Sequence, residues 1–356
     1  MKRTHETKLE AEVSVASRAP LDTRAQLDIG IAFDLKADFA ARDGAPEDAL
    51  EEYDSLATVE AIESALVARG HAVRKLGGGR AFLAAVLEAP PQLVFNISEG
   101  RGSRSREAHV PAVCEMLGIP CTHSDPLTMA LTLDKAMAKR VVASAGVPTP
   151  DFVTVEHARD LAHIALPYPL FAKPLFEGSS MGIRKRSRIA DRGELELRVG
   201  QLLDDYREPV LIEEFCGGPE FTVGIFGAGE GARTIAVMEI VPLLVPREQF
   251  VYSLEVKRNW NWAEEVAYHV PPQRPRAEIA AVEKVALDAY RALGCRDVGR
   301  VDVRCGSDGT PRFIECNPLP GGAPGWSDLA ILWERGGRSY AELIGVILDE
   351  AALRCG

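Results

Sequence analysis

The chain has 356 residues, long for a single hydrophobic core and in keeping with two or three domains. Its 46% hydrophobic and 26% charged content is that of an ordinary soluble protein, and a formal net charge of −11 argues against a general binder of nucleic acid or anionic membrane. No run of 18 apolar residues is present, and the opening residues lack a hydrophobic signal core. A cytoplasmic protein is expected, with a loose polar tail over residues 1–26. The seven cysteines (Cys114, Cys121, Cys216, Cys295, Cys305, Cys316 and Cys355) are scattered through apolar contexts with no CxxC pair. Reduced, mostly buried thiols follow, with neither a zinc site nor a disulfide framework.

In chain order, the β-rich run Leu27 to Leu35 reads as a first strand, and a polar, acidic insert follows over residues 36–54. Helical spacing begins after Ser55, a natural N-cap, and stops at Gly70. A second strand (from His71), a helix (from Arg80) and a third strand (Gln92 to Ser98) complete a βαβαβ alternation. That pattern predicts a parallel sheet with covering helices over residues 27–127. Gly77 to Arg80 reads as a plain turn, because it lacks the GxGxxG pattern. "GRGSRSRE" (Gly100 to Glu107) follows the third strand directly, where a ligand-binding loop is expected in such a sheet. Without interleaved aromatics it is a weak nucleic-acid segment. One long helix is predicted to end at Gly146, followed by an extended proline-containing link. A second, smaller α/β unit is placed at about 128–217 and a third at 218–356.

Within the second unit, "FAKPLFEGSSMG" (Phe171 to Gly182) joins a buried strand to a glycine-serine loop. Lys173 ends the apolar half, and Ser179 and Ser180 sit between Gly178 and Gly182. Backbone N–H groups, hydroxyls and a lysine suit an anion such as phosphate, though the stretch is not a P-loop and also reads as a surface hairpin.

The third unit holds "GRVDVRCGSDGTPRFIECNPLPGG". Asp308-Gly309 predicts a two-residue hairpin turn, which sets Asp302 opposite Glu315 and Arg300 opposite Asn317, all on one face. Facing carboxylates repel unless a cation lies between them, and two acids with an amide suit Mg²⁺ rather than zinc. A solvent-facing polar strand edge is the alternative. The opposite face, Val301, Val303, Ile314 and Cys316, is expected in the core. Arg300 could neutralise developing charge, and the Gly321 backbone could approach a reacting oxygen.

Together Lys173 with its loop, the stretch "VLIEEFCGGPEFTVGIFG" and this hairpin resemble the ATP-grasp superfamily, and within it the D-alanine–D-alanine ligases, over most of the chain from "LVFNIS" to "AELIGVIL". The resemblance implies a three-unit α/β ATP-grasp fold: an N-terminal parallel α/β domain, and ATP held between central and C-terminal α+β units. It implies an ATP- and Mg²⁺-dependent ligase (Mn²⁺ being the alternative ion) that forms a peptide bond through an acyl phosphate, as in peptidoglycan synthesis. Lys135, Lys173 and Lys257 match lysines that hold ATP phosphates, with Ser179 and Ser180 in the loop closing over them. Glu213, Glu214, Phe215 and Cys216 match the adenine hinge, and Glu220 the ribose acid. Asp302, Glu315 and Asn317 match the magnesium ligands. Arg300 and Gly321 match the groups stabilising the acyl intermediate, with Ser179 beside them in catalysis.

The departures lie on the amino-acid side. The family's glycine-rich first turn is replaced by "AFDLKADF" and the insert, leaving Glu51 for the donor's ammonium. Glu99 stands where the family has histidine. Arg258 and "NWNW" replace a tyrosine after the phosphate lysine. Ser327, in a lengthened "GGAPGWSDL", is the match for the serine on the acceptor's carboxylate. The implied partners are small amino acids, not nucleic acid or membrane, with a homodimer as an admissible assembly. Two further readings stay open: an ATP-grasp ligase for other amino acids or another carboxylate and amine, and a nucleotide-binding protein without ligase activity.

Overall fold

The computed structural model describes residues 21–259 and 262–355. Most of the tail expected at 1–26, and Trp260 and Asn261 of "NWNW", lie outside the described residues. Strands β1 (Asp28–Phe33), β2 (Ala72–Gly77) and β3 (Leu93–Ile97) form a parallel sheet in the order β2-β1-β3, as the alternation predicts. Strands β1 and β3 are buried almost throughout because helices cover both faces. Helix α1 (Leu56–Ala68) starts at the predicted cap, where the Ser55 hydroxyl accepts from Thr58 N at 3.3 Å. Helices α2 (Gly79–Glu88) and α3 (His109–Leu117) complete this layer. The arrangement brings Glu99 and the Gly100–Glu107 segment to the carboxyl end of β3.

The predicted long helix is in fact two, α4 (Pro126–Leu133) and α5 (Lys135–Ser144). Asp134 breaks it: its backbone turns extended (φ −81°, ψ 92°) and its carboxylate accepts from Met137 N at 3.0 Å, capping the second helix. The break sets Lys135 at the start of a helix facing the next sheet. That sheet is antiparallel, with β4 (Phe152–Val155), β5 (Leu170–Pro174), β6 (Arg188–Ile189) and β7 (Val210–Glu214) ordered β4-β7-β5-β6. Helix α6 (Arg192–Tyr206) packs on one face through Leu195, Val199 and Leu202.

The third sheet contains β8 (Glu220–Phe226), β9 (Arg233–Pro242), β10 (Val266–His269), β11 (Val298–Cys305) and β12 (Pro311–Asn317), ordered β10-β9-β8-β11-β12 and antiparallel. Helices α7 (Leu254–Arg258) and α8 (Trp262–Glu265) lie between β9 and β10. Helix α9 (Arg276–Ala292) buries one face. The opposite face is left for the site. Helices α10 (Asp328–Arg335) and α11 (Tyr340–Arg354) then return to the first sheet, where Leu329, Trp333, Ile344 and Leu348 join the core of Ile29, Ile31 and Val59. Two of the three sheets thus share a core through the chain's C-terminal end.

The β11–β12 hairpin departs from its predicted form in two ways that cancel at the site. Its loop contains Ser307, Asp308 and Gly309 rather than two residues: Gly309 N donates to Gly306 O, Gly306 N donates to Thr310 O, and Gly309 takes φ +80°. A bulge then adds Ile314, since Val303 pairs Phe313 whereas Asp302 pairs Glu315. Asp302 and Glu315, like Arg300 and Asn317, therefore face each other as predicted. The core face is corrected: Phe313 is fully buried in place of Ile314, which turns to the other side. All seven cysteines are free, five of them buried, and no helix of the described residues is long and apolar enough to cross a membrane.

Candidate functional site

A cleft lies between the four- and five-stranded sheets. Eleven of the residues singled out in the sequence line it: Lys173, Ser180, Glu213, Glu214, Phe215, Cys216, Glu220, Lys257, Arg300, Asp302 and Glu315. Lys135 and Ser179 flank it. Lys135 is buried with Nζ donating to the Glu177 carbonyl at 2.6 Å, while Ser179 is exposed at the turn of its loop. Asn317 faces Arg300 across the strands and accepts from Leu319 N at 3.0 Å.

One end of the cleft is apolar. Phe171 and Phe215 lie 6.3 Å apart, ring planes inclined by 27°, and Ile183, Ile240, Val251 and Ile314 complete the walls. That is a slot for a flat, uncharged group. The rest is lined by charge. Lys173 Nζ lies 3.3 Å from Glu213 and 3.2 Å from Glu315, and Lys139 adds a 2.6 Å contact to Glu213. Arg300 bridges Asp302 and Asp328 at 3.0 Å each, and Lys257 reaches Asp328 at 3.4 Å. Arg304 meets Glu220 at 3.2 Å, and Thr222 donates to Asp302 at 2.9 Å.

The local fields follow from these pairs. Burial works against the Lys173 charge, yet Glu213 and Glu315 outweigh it and hold its proton above the usual lysine range. Burial likewise opposes the Glu315 carboxylate, but Lys173, Lys135 and Arg300 hold it at about 2. Asp302 goes the other way: burial, together with Glu315 and Asp328, raises it despite Arg300. Such a carboxylate is one a divalent cation would return to its charged form. The donors fit a hard ion: two carboxylates and an amide, all oxygen, with no thiol or imidazole among these predicted ligands.

Since Glu315 is lowered from 4.5 to about 2, its ion pair stabilises the fold fully above pH 4.5 and is lost as pH falls toward 2. Urea unfolding of the parent and Glu315→Gln should therefore differ most near pH 5 and converge toward pH 2. A stability difference that stays constant over that range would contradict the pairing.

The amino-acid side is arranged differently from the expectation. Glu51 is held by Arg258 at 2.7 Å and Lys36 at 3.1 Å, so its carboxylate already has two cations. The neighbouring Glu52 turns inward and pairs with Arg106 at 2.6 Å, both nearly buried. Carboxylate oxygens of Glu52, Glu99 and Glu107 all lie within 4.8 Å of one another. Burial, then Glu52 and Glu107, push Glu99 well above the carboxylate range, and burial with Glu52 pushes Glu107 to about 8. Ser327 is not brought to the cleft lining. Its hydroxyl accepts from Ala323 N at 3.0 Å and closes a loop against Gly321.

The profile described as "D-ala D-ala ligase C-terminus" matches residues 141–349. A D-alanine–D-alanine ligase of Bordetella petrii is 32% identical over 302 residues, covering 84% of this chain and 88% of that one. The chain belongs to the D-alanine–D-alanine ligase family. Among solved structures, the Bacillus anthracis D-alanine–D-alanine ligase complexed with ATP superposes with a TM-score of 0.68 at 20% identity, covering 92% of this chain and 98% of that one. The VanG D-Ala:D-Ser ligase of Enterococcus faecalis also gives 0.68 at 20%, covering 92% and 100%. These likenesses establish the ATP-grasp fold.

Among the residues of this site that escaped the sequence reading are Lys139, Asp328 and Arg304, and Ile314 was expected in the core. Lys139 lies four residues after Lys135, and that helical spacing could have flagged it as a second inward cation. Ile314 needed the bulge. Asp328 and Arg304 gain their meaning only from partners brought together by the fold.

Proposed function

We propose that this ATP-dependent ligase joins two amino acids, D-alanine at both positions being the first pair to test, through an acyl phosphate. The observation that carries the proposal is the cleft itself: an apolar slot that runs into Lys173, Arg300 and the facing pair Asp302 and Glu315. Adenine would lie between Phe171 and Ile314, with the backbone of Glu214 to Cys216 reading its edge and Glu220 taking ribose hydroxyls. Lys135, Lys173, Lys257, Ser179 and Ser180 would hold the phosphates. Asp302, Glu315 and Asn317 would hold Mg²⁺, which when bound neutralises phosphate oxygens. We place the boundaries of the three units at 27–127, 128–217 and 218–356. Cytoplasmic residence is supported by the seven free cysteines, and a homodimer stays part of the reading.

The donor carboxylate attacks the γ-phosphorus, an O–P bond forms, and ADP leaves. The acceptor amine then attacks the acyl carbon, loses a proton, and phosphate departs as the C–O bond breaks. Arg300, positioned by Asp302 and Asp328, is set to stabilise the oxyanion with the Gly321 backbone. Positioning and charge neutralisation carry most of the catalysis. The donor ammonium is assigned to the Glu52, Glu99 and Glu107 cluster rather than to Glu51, because a buried ammonium needs a carboxylate that no cation has taken, and of these three only Glu52 forms an ion pair, with Arg106, among the described residues. Ser327 remains the acceptor-side residue only if its loop opens.

ADP release measured with D-alanine, and then with a panel of D- and L-amino acids that includes diamino acids, tests the reading. Amino-acid-dependent ADP release is expected, and the panel ranks donors by how well they suit three carboxylates. ATP cleavage that no amino acid stimulates would refute the ligase reading and leave nucleotide binding without ligation.

A further inference from the structure

Apart from Glu52, the insert over residues 36–54 has no part in the ligase chemistry proposed above. Its contacts converge on the glycine-serine loop from both ends. Asp48, whose side chain is fully buried, accepts through Oδ2 from Gly182 N at 2.9 Å and from Arg184 at 2.9 Å, and through Oδ1 from the Tyr206 hydroxyl at 2.6 Å. At the other end Glu52 accepts from Gly178 N at 3.2 Å. Between these anchors Ser179 (φ +47°) and Ser180 (φ +60°) are both left-handed. Consecutive non-glycine residues in that region are costly and persist only where the surroundings hold them.

The anchor points leave little room for adjustment. A Cβ at Gly182 would come within 2.4 Å of the Pro174 ring, and one at Gly178 within 2.6 Å of Glu52. The same insert reaches the neighbouring helix, since Glu51 pairs with Arg258 next to Lys257, while Leu254 N donates to the Ile183 carbonyl at 3.1 Å. Loop, α7 and insert therefore form one bonded assembly. The buried Asp48 carboxylate is held charged because, against its burial, Tyr206, Gly182 and Arg184 all favour the ionised form.

We propose that the 36–54 insert is a brace that holds the phosphate loop in its binding conformation before nucleotide arrives, with Asp48 as the positioning residue. This rests on the ATP reading of the cleft. Asp48 does not line the cleft. It fixes Gly182 and Arg184, and thereby the two strained serines that face the phosphates. Without the brace the loop relaxes, and ATP binding must restore it, so the effect falls on the apparent affinity for ATP.

The test compares the parent with Asp48→Asn and Tyr206→Phe, using two readouts on the full chain. In the first, trypsin acts on nucleotide-free protein, and cleavage after the exposed Lys185 and Arg186 is followed. The parent should be cut slowly and Asp48→Asn at least several-fold faster, with global unfolding by urea run alongside. In the second, ADP release is measured: Asp48→Asn should raise KM for ATP about tenfold, the size of one charge-assisted anchor, while kcat changes by much less. Tyr206→Phe, which removes one of three bonds, should move both readouts in the same direction by less, and it decides the matter if Asp48→Asn unfolds. Parental cleavage rates with parental KM in both variants would overturn the brace. If the parent itself cleaves no ATP, the ATP reading fails, yet the trypsin readout still decides whether the insert pins the loop.

Discussion

Glu315→Gln is expected to lose ATP turnover by on the order of a hundredfold or more while keeping its fold. The carboxylate is one of the two that face each other on β11 and β12, and it is held ionised near pH 2 by Lys173, Lys135 and Arg300. Glutamine keeps the shape and one acceptor oxygen but removes the charge that a hard cation needs. The fold should survive because Lys173 keeps its second partner, Glu213, at 3.3 Å. The loss should appear mainly in kcat, since the missing charge acts on the phosphoryl transition state. Turnover equal to the parent at saturating ATP and amino acid would remove the metal site from the reading. Loss of cooperative unfolding would instead show that Glu315 is chiefly structural.

The hairpin carrying that residue shows how far sequence reasoning reaches. Alternation and the Asp-Gly signal place Asp302 against Glu315, and the structure agrees, but the agreement is the product of two compensating features. The turn holds one more residue than predicted, and Ile314 is extruded as a bulge before the facing carboxylates are reached. Periodicity is a local signal. It finds strands and their faces, and it cannot see a bulge that packing against Phe313 and the cleft requires. The same limit explains the helix broken at Asp134, where a capping aspartate inside an apolar helical pattern reads as continuous.

The parallel sheet was legible because each of its strands and helices carries its own pattern and caps. The cleft-lining residues were legible because they lie in short segments with characteristic spacing. The donor side was not. Glu51 and Glu52 are adjacent and alike in sequence, and only the fold shows that one meets Arg258 and the other Arg106. Asp48 was invisible for the same reason: its three partners lie more than 130 residues away along the chain. Charges whose role comes from long-range pairing leave no local signature.

Lys173→Ala is expected to be damaging in two separable ways. The lysine is 2% exposed and lies between Glu213 and Glu315. Removing it leaves the buried Glu213 with Lys139 as its remaining cation, a defect of about 3–5 kcal/mol for a broken buried pair, while the partly exposed Glu315 loses less. Its proton is held above the usual lysine range, so the pairs are intact below pH 10.5 and are lost only as the pH rises beyond it. At neutral pH the full penalty therefore applies, and urea unfolding should report it. The second loss is in ligand binding, where one charge-assisted contact to phosphate is worth about 1.5–3 kcal/mol, roughly ten- to a hundredfold in affinity for ATP. Calorimetry on the folded variant measures this directly. A destabilised variant that binds ATP like the parent would make Lys173 a structural counter-ion and move the phosphate contact to Lys135 and Lys257. A variant as stable as the parent would show that Lys139 alone neutralises Glu213, and the central ion pair would then carry none of the weight assigned to it.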